Sequence, residues 1–162
     1  GTKITDHVSP LGFILGDEGS GAVLGRRLIG MVFKGGFSKK ISDKFQWRFP
    51  EDDISQIITH VYRGERPNAY LASFVPFLSE NISEKEIEDF VVGEFIRFFR
   101  FNVSAYPTAH SLPVHFTGSV AHHFADQLRS AAVTLGYTIG NILKNPMDSL
   151  ISFHLENQGR NK

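Results

Sequence analysis

Cysteine is absent from this 162-residue chain. Disulfides, zinc ribbons and thiol nucleophiles are thereby excluded, and a reducing cytoplasm is permitted. Net charge is absent as well: Lys plus Arg is 17 and Asp plus Glu is 17. That balance removes the electrostatic argument for nucleic-acid binding and for a polybasic membrane-surface protein. No apolar run approaches the roughly 20 residues that cross a bilayer, and residues 1–8 lack the apolar core of a signal peptide. Tryptophan occurs once and methionine twice, whereas phenylalanine occurs 15 times, so the core is expected to rest on phenylalanine packing. With 41% hydrophobic and 21% charged residues the composition is that of a globular chain, long enough for one domain with a sizeable core.

The order of patterns along the chain gives a fold class. Residues 1–8 alternate weakly, as a short strand does, with no local partner, so a fragment of a longer protein is expected. Gly12-Phe-Ile-Leu-Gly16 reads as a short buried strand, Asp17–Gly21 as a sharp turn, and Val23–Phe33 as a helix stopped by Gly35-Gly36. From 37 to 107 the pattern is helical. Ile54, Ile57, Ile58 and Val61 mark one buried stripe, and Asp52 or Asp53 can cap it. Arg63–Pro67 is a connector, Tyr70–Leu78 a short apolar helix, and Ser83 with Glu86 a capping box opening a long helix through Phe99. The period then changes: Leu112–Thr117 is strand-like, Gly118-Ser119 a tight turn, Val120–Leu135 a helix and Tyr137–Leu143 a second strand. Pro146 leads into a last helix, Met147–Glu156, and residues 157–162 form a polar, frayed tail. Strand–helix–strand–helix implies a parallel βαβ unit. The expected class is α/β with a helical insertion at about 37–107 between its first and last strands.

Three glycines in the six residues Gly16-Asp-Glu-Gly-Ser-Gly21 let a backbone approach a ligand closely, and two carboxylates stand beside them. In open α/β sheets, ligands bind outside the carboxyl ends of strands. Gly19, Gly21 and Gly25 echo a dinucleotide fingerprint, but Asp17 and Glu18 place negative charge where a pyrophosphate should sit. A carboxylate pair can instead accept hydrogen bonds from sugar hydroxyls, or simply satisfy the amides of a capped turn. Val114–Ala121 is a strand, a glycine turn and a helix start, where amides can hold an anion or a nucleotide edge; it can equally be an ordinary βα turn. Thr117 and Ala121 stand where a hydrolase elbow around Ser119 needs glycines, so that motif fails. Adjacent His122 and His123 cannot easily share one ion, and no metal site made by this chain alone is expected. Asn145-Pro-Met-Asp148 reads as helix capping, and Arg97, Arg100 and Arg129 as side chains snorkelling from apolar helices.

Leu11-Gly-Phe-Ile-Leu-Gly-Asp-Glu-Gly-Ser-Gly21 resembles the Gly-Asp-Glu-Gly-Ser signature of the N-acetylglucosamine kinases and their relatives, the BadF/BadG-type ATPases. Phe116-Thr-Gly-Ser-Val-Ala121 resembles that family's adenosine motif. Arg66–Phe74 and Asn145–Leu150 resemble its intervening helical segment and closing helix. The resemblance runs in the family's order over nearly the whole chain. It implies the actin-like ATPase superfamily, in which two ribonuclease-H-like lobes close on ATP and sugar, and it makes residues 1–162 a single C-terminal lobe. By that resemblance Leu11, Gly12 and Asp17 bind the sugar, Gly118 and Ser119 lie against the adenosine, and Ala72 and His123 line the nucleotide pocket.

The implied reaction is ATP- and Mg²⁺-dependent phosphorylation of N-acetylglucosamine or a similar amino sugar at its 6-hydroxyl, in the cytoplasm. The family's two phosphate-binding loops and its catalytic aspartate have no counterpart here, so Asp17 is not the general base and no catalytic residue is expected in this chain. A missing N-terminal lobe is the implied partner, and a homodimer through helices of the 40–100 segment is a second. Two other readings stay open. One is a non-kinase ATPase of the same family, against which the absence of cluster-ligating cysteines counts. The other is a sugar-binding or regulatory module without catalysis.

Overall fold

The computed structural model describes residues 4–147 and Leu150. The expected last helix beyond Met147 and the tail lie outside those residues, apart from Leu150. Residues 4–11 form no strand. They are tied to the body at Val8, whose N–H donates to the Tyr106 hydroxyl at 2.9 Å.

The buried strand expected at Gly12–Gly16 is instead a single helical turn, α1 (Gly12–Leu15), with Ile14 and Leu15 exposed. Leu11 and Gly12 both adopt positive φ, 60° and 74°. The turn is closed by Gly16 N–H donating to Gly12 O at 2.8 Å, and Asp17 N–H donates to Pro10 O at 2.9 Å. An apolar run this short carries no period that separates strand from helix. Helix α2 (Gly21–Phe33) follows, its N-terminus capped by Ser20, whose Oγ accepts from Val23 N–H at 3.3 Å.

The helical body comprises α3 (Lys39–Arg48), α4 (Ile54–Arg63), α5 (Pro67–Ala72), α6 (Val75–Glu80) and α7 (Lys85–Phe98), with a π-turn at Phe99–Val103. Asp53 caps α4 by accepting from Gln56 N–H at 2.8 Å. The α4 stripe is buried less than its spacing suggests: Ile57 is inside, Val61 half-buried, and Ile54 and Ile58 face outward. The single helix expected at Tyr70–Leu78 is two, because Pro76 has no N–H to give and its ring crowds the carbonyl one turn back. The Ser83 capping box does not form. Glu84 takes the N-cap position without a side-chain bond, and the Glu86 carboxylate accepts from Ser38 N–H at 2.7 Å instead.

Two strands, β1 (Val114–Thr117) and β2 (Ile139–Leu143), pair in parallel, with Val114 opposite Ile139 and Thr117 opposite Leu143. The register slips between Val114 and Phe116. There the His115 ring lies across Gly140, and its Nδ1 accepts from Asn141 N–H at 3.0 Å. The crossover expected as one helix is α8 (Ser119–His123) and α9 (Ala125–Leu135), broken at buried Phe124. The parallel βαβ unit is therefore present. The helical body precedes both described strands instead of separating a first strand from a last one, because the segment read as the first strand is a turn. Helix α9 packs on α7, and one hydrophobic cluster runs from Leu24 to Tyr137. Phenylalanine dominates it: Phe45 meets Phe77 edge-on at 5.3 Å, and Phe49 meets Phe74 at 4.9 Å.

Candidate functional site

Two loops converge. Strand β1 ends at Thr117, and Gly118 (φ 136°, ψ 158°) turns the chain into α8 at Ser119. That φ lies where side-chain-bearing residues rarely go, and no neighbouring atom lies within 4 Å of where a Cβ would stand at Gly118. Facing this turn is the acidic loop Asp17–Ser20, closed by Ser20 N–H donating to Asp17 O at 2.9 Å. Asp17 has φ 55° and Gly19 φ 79°. Asp tolerates the left-handed region better than most residues.

A cavity of about 480 Å³ lies between them, with Glu18, Gly19 and Ser20 on one side, Phe95 and Phe98 from α7, and Thr117–Ser119 opposite. A second, of about 530 Å³, shares Ser119 and Val120 with the first and is bounded by Gly21, Ala72, Val75, His123 and Phe124. The four residues expected at a nucleotide are thus brought to adjoining cavities: Ala72, Ser119 and His123 line the second, Gly118 and Ser119 the first. The sugar set is arranged differently. Asp17 is half-buried in the acidic loop, and Leu11 and Gly12 lie in the exposed turn leading to it. None of these three lines either cavity.

The glycines that echo a dinucleotide fingerprint each have a packing reason. A Cβ on Gly19 would stand 3.3 Å from the Phe98 ring, one on Gly21 3.2 Å from Ala72 Cβ, and one on Gly25 only 1.8 Å from Leu71 O. Their spacing serves the approach of α2 to α5 and of the acidic loop to α7. Among the described residues no group of three or more His, Asp or Glu could hold a metal ion. The His122 and His123 rings stand nearly perpendicular, 5.7 Å apart.

Three features escape a sequence reading. Glu18, not Asp17, is the carboxylate that lines the cavity. Asn102 donates to Glu18 Oε2 at 3.3 Å from 84 positions away, with no local pattern to announce it. Glu94 is buried and paired with Arg27 at 2.7 Å, with Arg97 Nε 3.7 Å from its other oxygen; a charge inside an apolar helix signals a partner without naming it. The assembled site offers chemistry of two kinds. Its apolar walls with hydroxyl and imidazole groups suit a flat heterocycle, and the Glu18 carboxylate can accept hydrogen bonds from ligand hydroxyls.

A helical body against a parallel βαβ unit, with cavities at the carboxyl end of β1, makes the chain a mixed helix-and-sheet fold. No family model matches the chain, and no curated protein does. Among solved structures the chain is similar to a crystal structure from Porphyromonas gingivalis of a protein provisionally named an N-acetylglucosamine kinase, at 40% identity and a TM-score of 0.91. The match covers 98% of this chain and 55% of that one, so the chain spans about half the length of its relative. The two share their fold over that region.

Proposed function

We propose that this chain is the C-terminal, ribonuclease-H-like lobe of an ATP-dependent kinase that phosphorylates N-acetylglucosamine or a similar amino sugar at its 6-hydroxyl. The observation that carries this reading is the convergence of Ala72, Gly118, Ser119 and His123 on adjoining cavities, in a fold shared with a provisionally named N-acetylglucosamine kinase.

In this reading the adenosine lies against the Gly118–Ser119 turn. Gly118 lets the backbone come close, Ala72 and Val75 give an apolar wall, and His123 and Ser119 supply hydrogen-bonding groups. Asp17 accepts hydrogen bonds from sugar hydroxyls, with Leu11 and Gly12 shaping that side. Mg²⁺ supplies neutralisation of phosphate charge, and no group of three acidic or histidine side chains among the described residues fits it. The general base and the phosphate loops belong to the rest of a two-lobed protein, whose closure supplies positioning. A homodimer in this reading uses α4, which leaves Ile54, Ile58 and Tyr62 exposed. The setting proposed is cytoplasmic; no described helix is long and apolar enough to cross a membrane.

Calorimetric titration of the chain with Mg-ADP, alone and with N-acetylglucosamine present, tests the assignment. Saturable binding is expected, weakened by Gly118→Ala, because a methyl group forces the turn out of its φ. Binding that Gly118→Ala leaves unchanged overturns the placement of the nucleotide.

A further inference from the structure

The end of α7 departs from α-helical geometry at a particular place. Phe99–Val103 is a π-turn, closed by Ser104 N–H donating to Phe99 O at 2.9 Å. Such turns are rare and concentrate at functional sites. Phe99 and Val103 are buried and anchor it, while half-buried Asn102 turns toward the acidic loop. Its Nδ2 donates to Phe98 O at 3.2 Å and to Glu18 Oε2 at 3.3 Å. The next loop residue, Gly19, faces the Phe98 ring, which would stand 3.3 Å from a Cβ at that position. Two consecutive residues of the loop therefore face the C-terminal end of α7, one through an amide–carboxylate bond and one across a gap too narrow for a side chain.

We infer that Asn102 is a positioning residue, holding Glu18 and through it the acidic loop at the orientation that faces the cavity. Asp17 precedes Glu18 directly, at φ 55°. That torsion is unfavourable in a free chain, so the loop needs an external hold to keep it. Ser20 caps α2 from one end of the loop, and Asn102 fixes the middle. The consequence for ligand binding rests on the proposed sugar-binding role of Asp17; the positioning itself does not.

The test is native-state hydrogen exchange on the chain, read at Ser20 N–H, which bonds Asp17 O, and at Val23 N–H, which bonds Ser20 Oγ. Asn102→Asp sets a second carboxylate against Glu18 and is expected to speed exchange at both amides about tenfold, the effect of losing one hydrogen bond to a charged group. Leu128 N–H in α9 should not change. The pair Asn102→Asp with Glu18→Gln reverses donor and acceptor, and should bring both amides back to within about twofold of the parent. A purely structural role for Asn102 would show as faster exchange at Leu128 too, with no restoration by the reversed pair. Unchanged exchange in Asn102→Asp, or no restoration in the pair, overturns the inference. Should Asn102→Asp fail to fold, Asn102→Ala decides on the same two amides. Titration of the same proteins with N-acetylglucosamine separates the two claims. If the exchange pattern holds and Asn102→Asp leaves the affinity for the sugar unchanged, the consequence for ligand binding fails and the positioning stands.

Discussion

Gly25 shows how closely a residue can be specified by what it lacks. It lies on the face of α2 that meets α5, and a Cβ there would stand 1.8 Å from the Leu71 carbonyl oxygen, a backbone atom that cannot rotate away. Gly25→Ala therefore has to push two helices apart. It should lower stability by about 2–3 kcal/mol, read as a shifted urea midpoint at unchanged slope; a shift near zero would mean that α2 and α5 do not meet as described. One turn back along the chain, at Gly21, the same helix bounds the second cavity together with Ala72 of α5. Two residues beyond Gly25, Arg27 reaches Glu94, a carboxylate buried within α7. Arg97 stands 3.7 Å from the second oxygen and lays its guanidinium over the Phe101 ring at 5.4 Å. The buried charge is compensated from two helices, and it ties α2 to the helix whose end carries Asn102.

Between elements, the joint of α3 with the start of α7 is made of charge. Lys40 and Lys44 each bond a different oxygen of Glu84 at 2.7 Å, and Glu86 accepts from Ser38 N–H. The bonds from Lys40 and then Lys44 hold the Glu84 carboxyl down at about 2, from an ordinary 4.5. A carboxyl lowered on folding stabilises the folded chain fully above its unfolded value. That stabilisation is lost as pH falls from 4.5 toward 2. Glu84→Gln should be less stable than the parent at about pH 6, with the two converging by about pH 2; a gap that does not narrow would assign the joint to something other than Glu84. Nothing in the sequence marks this joint, because its partners are some 40 residues apart and the local pattern, Ser83 with Glu86, points to a capping box. Sequence reading succeeds where a signal is local and repeated. The period of α2 and α7, a cap at Asp52 or Asp53 and the strand before Gly118 are all legible. It fails where tertiary context decides: Gly12–Leu15 is too short to show a period, Ile54 and Ile58 keep helical spacing without gaining a covering surface, and Phe124 breaks a helix in order to bury its ring. The site divides the same way. Gly118 and Ser119 are visible as a turn, whereas the part played by Glu18 depends on a residue 84 positions away.

At the scale of the molecule, one aromatic core supports a site that opens to its surface. Phe45, Phe49, Phe74 and Phe77 interlock α3, the segment after it, α5's end and α6, and Phe99 stacks on Tyr137, which stacks on His110, carrying the packing to the sheet. The cavities lie beside this packing, with Phe95 and Phe98 in the first and Phe124 in the second, while the acidic loop closes the first from the other side. Phosphoryl transfer needs more than walls. It needs a base near the attacking hydroxyl and charge compensation along the phosphates, and the described residues bring together a carboxylate loop and two adjoining cavities but no group of three acidic or histidine side chains. The chain also spans 55% of the solved relative it resembles. Incubated with Mg-ATP and N-acetylglucosamine, it should therefore release ADP at the rate of the buffer control in a coupled assay. Turnover clearly above that control, dependent on the sugar and abolished by Gly118→Ala, would show that a single lobe holds the whole reaction, and Asp17 and Glu18 would then have to be reconsidered as its base. Background turnover together with saturable Mg-ADP binding is the pattern expected of a lobe that holds the nucleotide and waits for its partner to close on it.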